Sequence, residues 1–213
     1  MNLENYLNSK PKLPEGIKTI DQLFEKINTP EELSEYMEKN LEYGYVGKES
    51  NRIYSSVDAD FDNNFDKEYI LQTPEQLLIS KHGVCWDQVE LERSWFLKKE
   101  YKIKVYFLMF AKDELNNLPT HTFLAYKKDG KFYWFENSFS SQKGIHEYKD
   151  LNSLIEDVKN KQFDYAKKEC GAVADDFNDI KVCEYETPKF GCNPDEYMTS
   201  IIDNNLKKGS NDL

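Results

Sequence analysis

Residues 81–96 read KHGVCWDQVELERSWF, a glycine turn, one cysteine and then an amphipathic run. A thiolate, not a thiol, attacks carbonyl carbon, so a working cysteine needs neighbours that favour its ionised form. The first turn of a helix supplies such neighbours as unpaired N–H groups and the positive end of the dipole. The same N–H groups can hold the oxyanion of a tetrahedral intermediate. Cys85 has this position, and Gly83 lets the turn bring backbone close to a substrate. A thiol of this kind also needs a base. The sequence holds three histidines, His82, His121 and His146. His82 lies too near the helix start to turn back on Cys85, whereas His121 opens a strand directly after a loop and is the better base.

An acceptor must then hold the imidazole in one tautomer. HTFLAYKKDGKFYWFENSF gives two alternating strands around Asp129 and Gly130, a strong hairpin signal. With a two-residue loop Lys128 faces Lys131, which sets His121 opposite Ser138 and on the same face as Glu136 and Trp134. Glu136 is then the diagonal neighbour of His121, roughly 7 Å away at the backbone and within reach of a long carboxylate. Asn137 points to the other face. A loop of odd length would reverse this and nominate Asn137.

Other elements must hold these pieces. NTPEELSEYMEKNL carries Thr29 as N-cap, Pro30 at the first helical position and Glu32 closing a capping box, so it reads as a helix ending near Gly44. TPEQLLISK repeats the device with Thr73, Pro74 and Gln76 and predicts a short helix ending at Gly83. Cys85, Val89 and Phe96 fall along one helical stripe with Trp86 and Leu97 beside it. IKVYFLMF reads as a buried strand, GIHEY as a further strand, and LNSLIEDVKN as a helix with Leu151, Leu154, Ile155 and Val158 inward. IKVCEYE predicts another strand and the residues after Pro194 another helix. Residues 45–68, rich in Asp and Asn, read as a long surface loop. The class is α+β, with helices on an antiparallel sheet.

The matching pieces are Gly83-Val84-Cys85 followed by Asp87, then His121-Thr122-Phe123, then Trp134-Phe135-Glu136-Asn137. In their order and spacing they resemble the transglutaminase-like superfamily. Its members carry a cysteine in a G-x-C motif at a helix start, with a histidine and an aspartate on adjacent strands of a papain-like fold. The resemblance covers about residues 70–150, with Glu136 standing where the family usually has Asp. It implies a single domain over residues 1–213: a helical part to about 68, a catalytic core, and strand and helix additions from 151. It also implies a Cys85-His121-Glu136 triad that forms a thioester acyl-enzyme from a peptide or protein amide. Trp86, Gly83 and Trp134 would line the oxyanion and substrate cleft. Bacterial relatives lean towards hydrolysis, as protease, deamidase or amidase, rather than cross-linking. A silent binding module is the alternative. Arylamine N-acetyltransferases share the order but have an RGG-x-C signature that is absent here.

Composition narrows the field. The chain has 213 residues, 39% of them hydrophobic, and a formal net charge of −11. It is rich enough to fold, and its charge repels nucleic acid and anionic membranes. No apolar run reaches the length of a membrane span, and MNLENYLNSK lacks the basic start and apolar middle of a signal peptide. A cytoplasmic protein is expected, with Cys85, Cys170, Cys183 and Cys192 as thiols. No cofactor is expected. Neither is a metal, because the spacing of His82 and the cysteines lacks the close paired ligands of zinc sites. Taken singly, Cys85 reads as packing, His121 as a core histidine and Glu136 as a solvated residue. Their order and shared face point to chemistry.

Overall fold

Capped helices and alternating strands dictate the architecture. The structure is a computed structural model that describes residue 17, residues 19–111 and residues 118–209. The opening MNLENYLNSK lies outside the described residues. In chain order the first half holds α1 (Ile20–Lys26), α2 (Pro30–Asn40), β1 (Glu42–Val46), β2 (Ile53–Ser55), α3 (Phe61–Glu68), α4 (Pro74–Ser80), β3 (His82–Gly83) and α5 (Cys85–Lys98). The second half holds β4 (Lys102–Phe110), β5 (His121–Lys128), β6 (Lys131–Glu136), β7 (Gly144–Tyr148), α6 (Leu151–Glu169), β8 (Ile180–Glu184) and α7 (Pro194–Gly209).

The threonine caps form as their sequence demands. Thr29 Oγ1 accepts the Glu32 N–H at 3.2 Å while Glu32 Oε2 accepts the Asn28 N–H at 2.6 Å. Thr73 and Gln76 make the full reciprocal box at 3.2 and 2.8 Å, whereas Glu32 reaches one residue past its cap and does not close the expected box on Thr29. The helix stops differ from expectation. Helix α2 ends at Asn40, before the strand that contains Gly44. Helix α4 ends on Lys81, itself left-handed at φ 61°. Gly83 instead pairs with Tyr43 in a short parallel bridge.

Five antiparallel strands form the main sheet in the order β7-β6-β5-β4-β8. Alternation along β4 divides its residues between two cores. Val105 and Phe107 join Leu124, Tyr126, Phe135 and helix α5 on one face. Tyr106 and Leu108 join Phe123, Ala125, Trp134 and the Leu154 and Val158 stripe of α6 on the other. The result is a three-layer α+β arrangement with α5 and α6 on opposite faces of one sheet.

Residues 45–68 are not a loop. They form the β1–β2 hairpin and helix α3 around an aromatic cluster, in which Tyr45 stacks on Tyr54 at 4.8 Å and meets Phe61 and Phe65. Those aromatics, sparse among Asp and Asn, gain enough from burial to order the segment. The C-terminal additions clad α5. Tyr197 lies flat on Trp86 at 3.9 Å, and the buried Arg93 bonds both Glu90 and the Tyr185 carbonyl. Leu97, expected beside the buried stripe, is 56% exposed, while Trp95 and Phe96 in the same turn are buried against the core.

Candidate active site

Helix α5 begins at Cys85, and the residue in its N-cap position, Val84, has no side-chain oxygen. Asp87 supplies one. Its Oδ2 accepts the Val84 N–H at 3.0 Å, and its Oδ1 accepts the Gln72 N–H at 2.9 Å and the Tyr69 hydroxyl at 3.0 Å. This carboxyl is 1% exposed, and burial outweighs its three donors and pushes it up to about 7. The local fold requires Gly83, since a Cβ there would lie 2.5 Å from Leu77 Cδ1 and 2.9 Å from Asp87 Cβ. Gly83 therefore serves close packing under Asp87. The expected approach to a substrate does not arise, because the residue is buried and its carbonyl accepts Gln88 Nε2 at 2.8 Å.

The β5–β6 hairpin turns on Asp129 and Gly130, both with positive φ, and pairs Lys128 with Lys131 and Leu124 with Phe135. In that register His121 and Glu136 share the face of Phe123 and Trp134. Pairing stops at Leu124, and beyond Glu136 the chain curls back onto the glutamate. Glu136 Oε1 accepts the Ser138 N–H at 2.7 Å, the Ser138 hydroxyl at 2.9 Å and the Phe139 N–H at 2.7 Å. Its Oε2 takes His121 Nε2 at 2.8 Å and the Trp134 indole N–H at 3.2 Å. The Cys85 thiol lies close enough to the His121 ring to favour its charged form. With Nε2 committed to Glu136, Nδ1 is the ring nitrogen left to meet the sulfur. The contact crosses the end of β5, where Cys85 from the α5 face and His121 from the α6 face meet over the rim of the sheet. Burial opposes charge on His121, but Glu136 and Cys85 outweigh it and lift the imidazole to about 10. Burial also opposes charge on Glu136, yet His121 and the hydrogen bonds around it hold its carboxyl below the ordinary range.

A family model described as a transglutaminase-like domain matches residues 9–169, well over half of the chain. This chain belongs to that family. Among curated proteins none matches it.

Within this transglutaminase-like domain, the remaining expected residues fall away from the contact. Trp134 is fully buried, stacked on His146 at 4.7 Å, so it braces Glu136 and does not wall a cleft. The Trp86 ring is packed among Phe65, Tyr69, Phe107 and Tyr197, leaving its backbone as the part near Cys85. His82 turns to the Ser80 carbonyl at 2.8 Å and to Glu42 at 3.4 Å, and His146 to the Gln142 carbonyl at 2.7 Å. Asn137 points to the α5 face, as the two-residue loop requires, and donates to Gln88 Oε1 at 2.6 Å. Asn137, Gln88 and the Gly83 carbonyl thus link the end of β6 to the Cys85 turn.

Sequence reasoning missed Tyr43. Its side chain lies beside Cys85, which adds to burial in raising the phenol; the proximity arises from the parallel bridge of β1 with β3 and leaves no local signal. A cleft of about 200 Å³ opens beside it, lined by Tyr43, Ser56, Thr120, His121, Phe139 and Tyr165 among others. Among the described residues no Lys, Arg, Asp or Glu lines this cleft. His121 faces it, while Cys85 lies behind Tyr43 at 5% exposure. Among the described residues no group of three His, Cys, Asp or Glu could hold a metal, and no helix is long and apolar enough to cross a membrane.

Proposed function

We propose that this protein is a cysteine-dependent acyl-transfer enzyme acting on the amide bonds of a peptide or protein. Cys85 is the nucleophile, His121 carries the proton and Glu136 orients His121. The observation that carries the reading is the position of His121, clamped by Glu136 on Nε2 at 2.8 Å and lying beside Cys85. In the reaction the sulfur forms a bond to the amide carbon, and the carbonyl electron pair becomes an oxyanion. Collapse then breaks the C–N bond as His121 gives its proton to the leaving amine. Glu136 stabilises the imidazolium throughout, and the N–H groups at the start of α5 receive the oxyanion. Water then attacks the thioester carbon, with His121 taking its proton, and the C–S bond breaks to release the acid and return the Cys85 thiolate. Hydrolysis ranks ahead of transfer to an amine. Apart from His121 the cleft lining is neutral and rich in hydroxyls, which suits a neutral carboxamide or peptide group. The acidic surface speaks against nucleic acid or anionic membrane as a partner, and a cytoplasmic setting suits a chain whose cysteines form no disulfide.

A second reading, a binding module without turnover, is favoured by the cover that Tyr43 places over Cys85. Timed alkylation with iodoacetamide, read by peptide mass spectrometry, separates the two. Burial raises Cys183, and pushes Cys192 up to about 11, so neither competes well near neutrality. An enzyme modifies Cys85 first, and His121→Ala slows that modification by about tenfold or more. Equal, slow labelling of all four cysteines would sink the enzyme reading.

A further inference from the structure

Besides its hydroxyls, the cleft at His121 carries a run of aromatic rings. The Phe139 ring stands steeply tilted to the His121 ring at 5.6 Å between centroids, and to the Tyr165 ring at 5.4 Å, so the three make one continuous wall. Tyr43 and Ser56 line the same cleft from the β1–β2 hairpin, with Phe61 next to Tyr43 at 6.3 Å. The wall is held in place. Gln162, buried on α6, donates from Nε2 to the Pro119 carbonyl at 3.0 Å, which ties the segment before His121 to the helix that carries Tyr165. Yet Tyr165 is 42% exposed and Tyr43 is 36% exposed. Exposed rings gathered in one concave place mark a binding surface.

We propose that the Phe139–Tyr165 wall is a subsite on the amine side of the scissile bond, and that it takes an aromatic side chain from the residue that supplies the scissile nitrogen. This deepens the acyl-transfer reading and rests on it. Proton transfer decides the side. The sulfur bonds to the carbonyl carbon, so the acyl group stays at Cys85, whereas the departing nitrogen takes its proton from His121 and lies against that ring. The side chain of the residue that owns this nitrogen begins two bonds further on, and Phe139 is the ring next to His121 on the wall. Size and charge decide the class. A space of about 200 Å³ matches the share of about seven waters in the liquid, enough for one ring and its methylene. Among the described residues no Lys, Arg, Asp or Glu lines it, so a charged side chain would lose its water with no opposite charge in return. An aromatic side chain instead meets ring edges and faces.

Running the transfer in reverse reads this subsite, because an amine that attacks the acyl-enzyme enters where the leaving amine departs. In the full chain, p-nitrophenyl acetate acetylates Cys85: the sulfur bonds to the carbonyl carbon, the C–O bond breaks and nitrophenolate leaves. An amino-acid amide then attacks the thioester carbon, its nitrogen gives a proton to His121, the C–S bond breaks and the electron pair returns to sulfur. Alaninamide, phenylalaninamide and argininamide compete with water for the acetyl group, and mass spectrometry counts the acetylated amides. Argininamide stands for the opposite occupant, a cation held over the same rings. Phenylalaninamide is expected to capture about tenfold more acetyl than alaninamide, the lower end of what burying its ring supplies, and argininamide no more than alaninamide. Tyr165→Ala, at an exposed ring, is expected to bring the ratio of phenylalaninamide to alaninamide close to one. A ratio taken within one acetyl-enzyme cancels any general loss of rate. Equal capture of the three amides, capture of none, or argininamide ahead of phenylalaninamide overturns the proposal, and so does a ratio that Tyr165→Ala leaves unchanged. A wild-type chain that releases no nitrophenolate and carries no acetyl on Cys85 overturns the acyl-transfer reading itself, an outcome separate from the others.

Discussion

Two buried carboxylates flank Cys85, and they behave in opposite ways. Asp87, at the start of α5, is 1% exposed and accepts three hydrogen bonds, yet burial pushes it up to about 7. Glu136, at the end of β6, is 2% exposed and sits below the ordinary glutamate range. Both are desolvated, and both are ringed by N–H and O–H dipoles. What Glu136 has and Asp87 lacks is a full positive charge in contact, the imidazolium of His121. Dipoles alone do not offset the loss of water around an anion, whereas an opposite charge does. The fold therefore keeps one carboxyl close to neutral as a structural pin and the other ionised as an electrostatic partner.

Glu136→Gln removes the charge and keeps the shape, and it should have the largest effect. Whichever way its amide turns, the NH2 group faces an N–H donor from Ser138, Phe139 or His121. By analogy with other triads, turnover of an amide substrate falls about 10³–10⁴-fold. The His121 pKa, followed by NMR on a chain with three histidines, drops from about 10 by about 1–3 units. The sign for stability follows from the raised value. In wild type the His121 contribution is complete below the ordinary histidine range and is lost as pH rises through about 10. Glu136, being lowered, contributes above the ordinary glutamate range and loses that contribution as pH falls through its folded value. Urea midpoints of the variant should lack both limbs. A variant whose His121 still titrates near 10 would assign the raised value to Cys85 instead.

Asp87→Asn should have a smaller effect, and one that changes with pH in the opposite sense. One of the three donors now meets an NH2 group, a cost of about 1–3 kcal/mol. Because the wild-type carboxyl is raised, its contribution is complete below the ordinary aspartate range and is lost as pH rises through about 7. Asparagine does not titrate. The difference between the two proteins in denaturant midpoint is therefore greatest below about pH 4 and narrows steadily to about pH 8. A gap that widened with pH would mean that the three donors hold Asp87 ionised, as the ring around Glu136 holds its carboxylate.

The two regions also differed in how much of them could be read in advance. The side of Glu136 was legible because a two-residue turn fixes register, and register fixes which side chains share a face. The residues Asp129 and Gly130 thus carried His121 to Glu136. Capping threonines gave the starts of α2 and α4 for the same reason, that the signal and the structure lie within one turn. The side of Asp87 was less legible. Gly83 was read as a place for substrate approach, and its role is to let Asp87 fold back on Val84. Tyr43 lies far along the chain from Cys85 and reaches it through a two-residue parallel bridge, which alternation of residues does not announce. Residues 45–68 looked like a loop because Asp and Asn outnumber the aromatics, although four rings clustered together decide the outcome. Trp134 was placed on the right face but given the wrong neighbour, since hairpin register says nothing of helix α6, which covers that face.

The smallest expected effect is the most informative about how the two regions communicate. Neither carboxyl is among the charges that shift the other, but a chain of hydrogen bonds connects their surroundings. Asn137 follows Glu136 and donates to Gln88 at 2.6 Å, and Gln88 donates to the Gly83 carbonyl at 2.8 Å, next to the N–H that Asp87 caps. If that chain merely fills space, the regions act independently. The stability losses of Glu136→Gln and Asp87→Asn then add in the double variant to within about 0.5 kcal/mol. Urea unfolding of wild type, the two single variants and the double variant at one pH measures this directly. Neutral pH suits the cycle, since Glu136 is ionised there in wild type. A coupling above about 1 kcal/mol would show that the turn before Cys85 and the strand end behind His121 move as one unit. Replacing Gln88 should then abolish the coupling, because it is the residue that joins them.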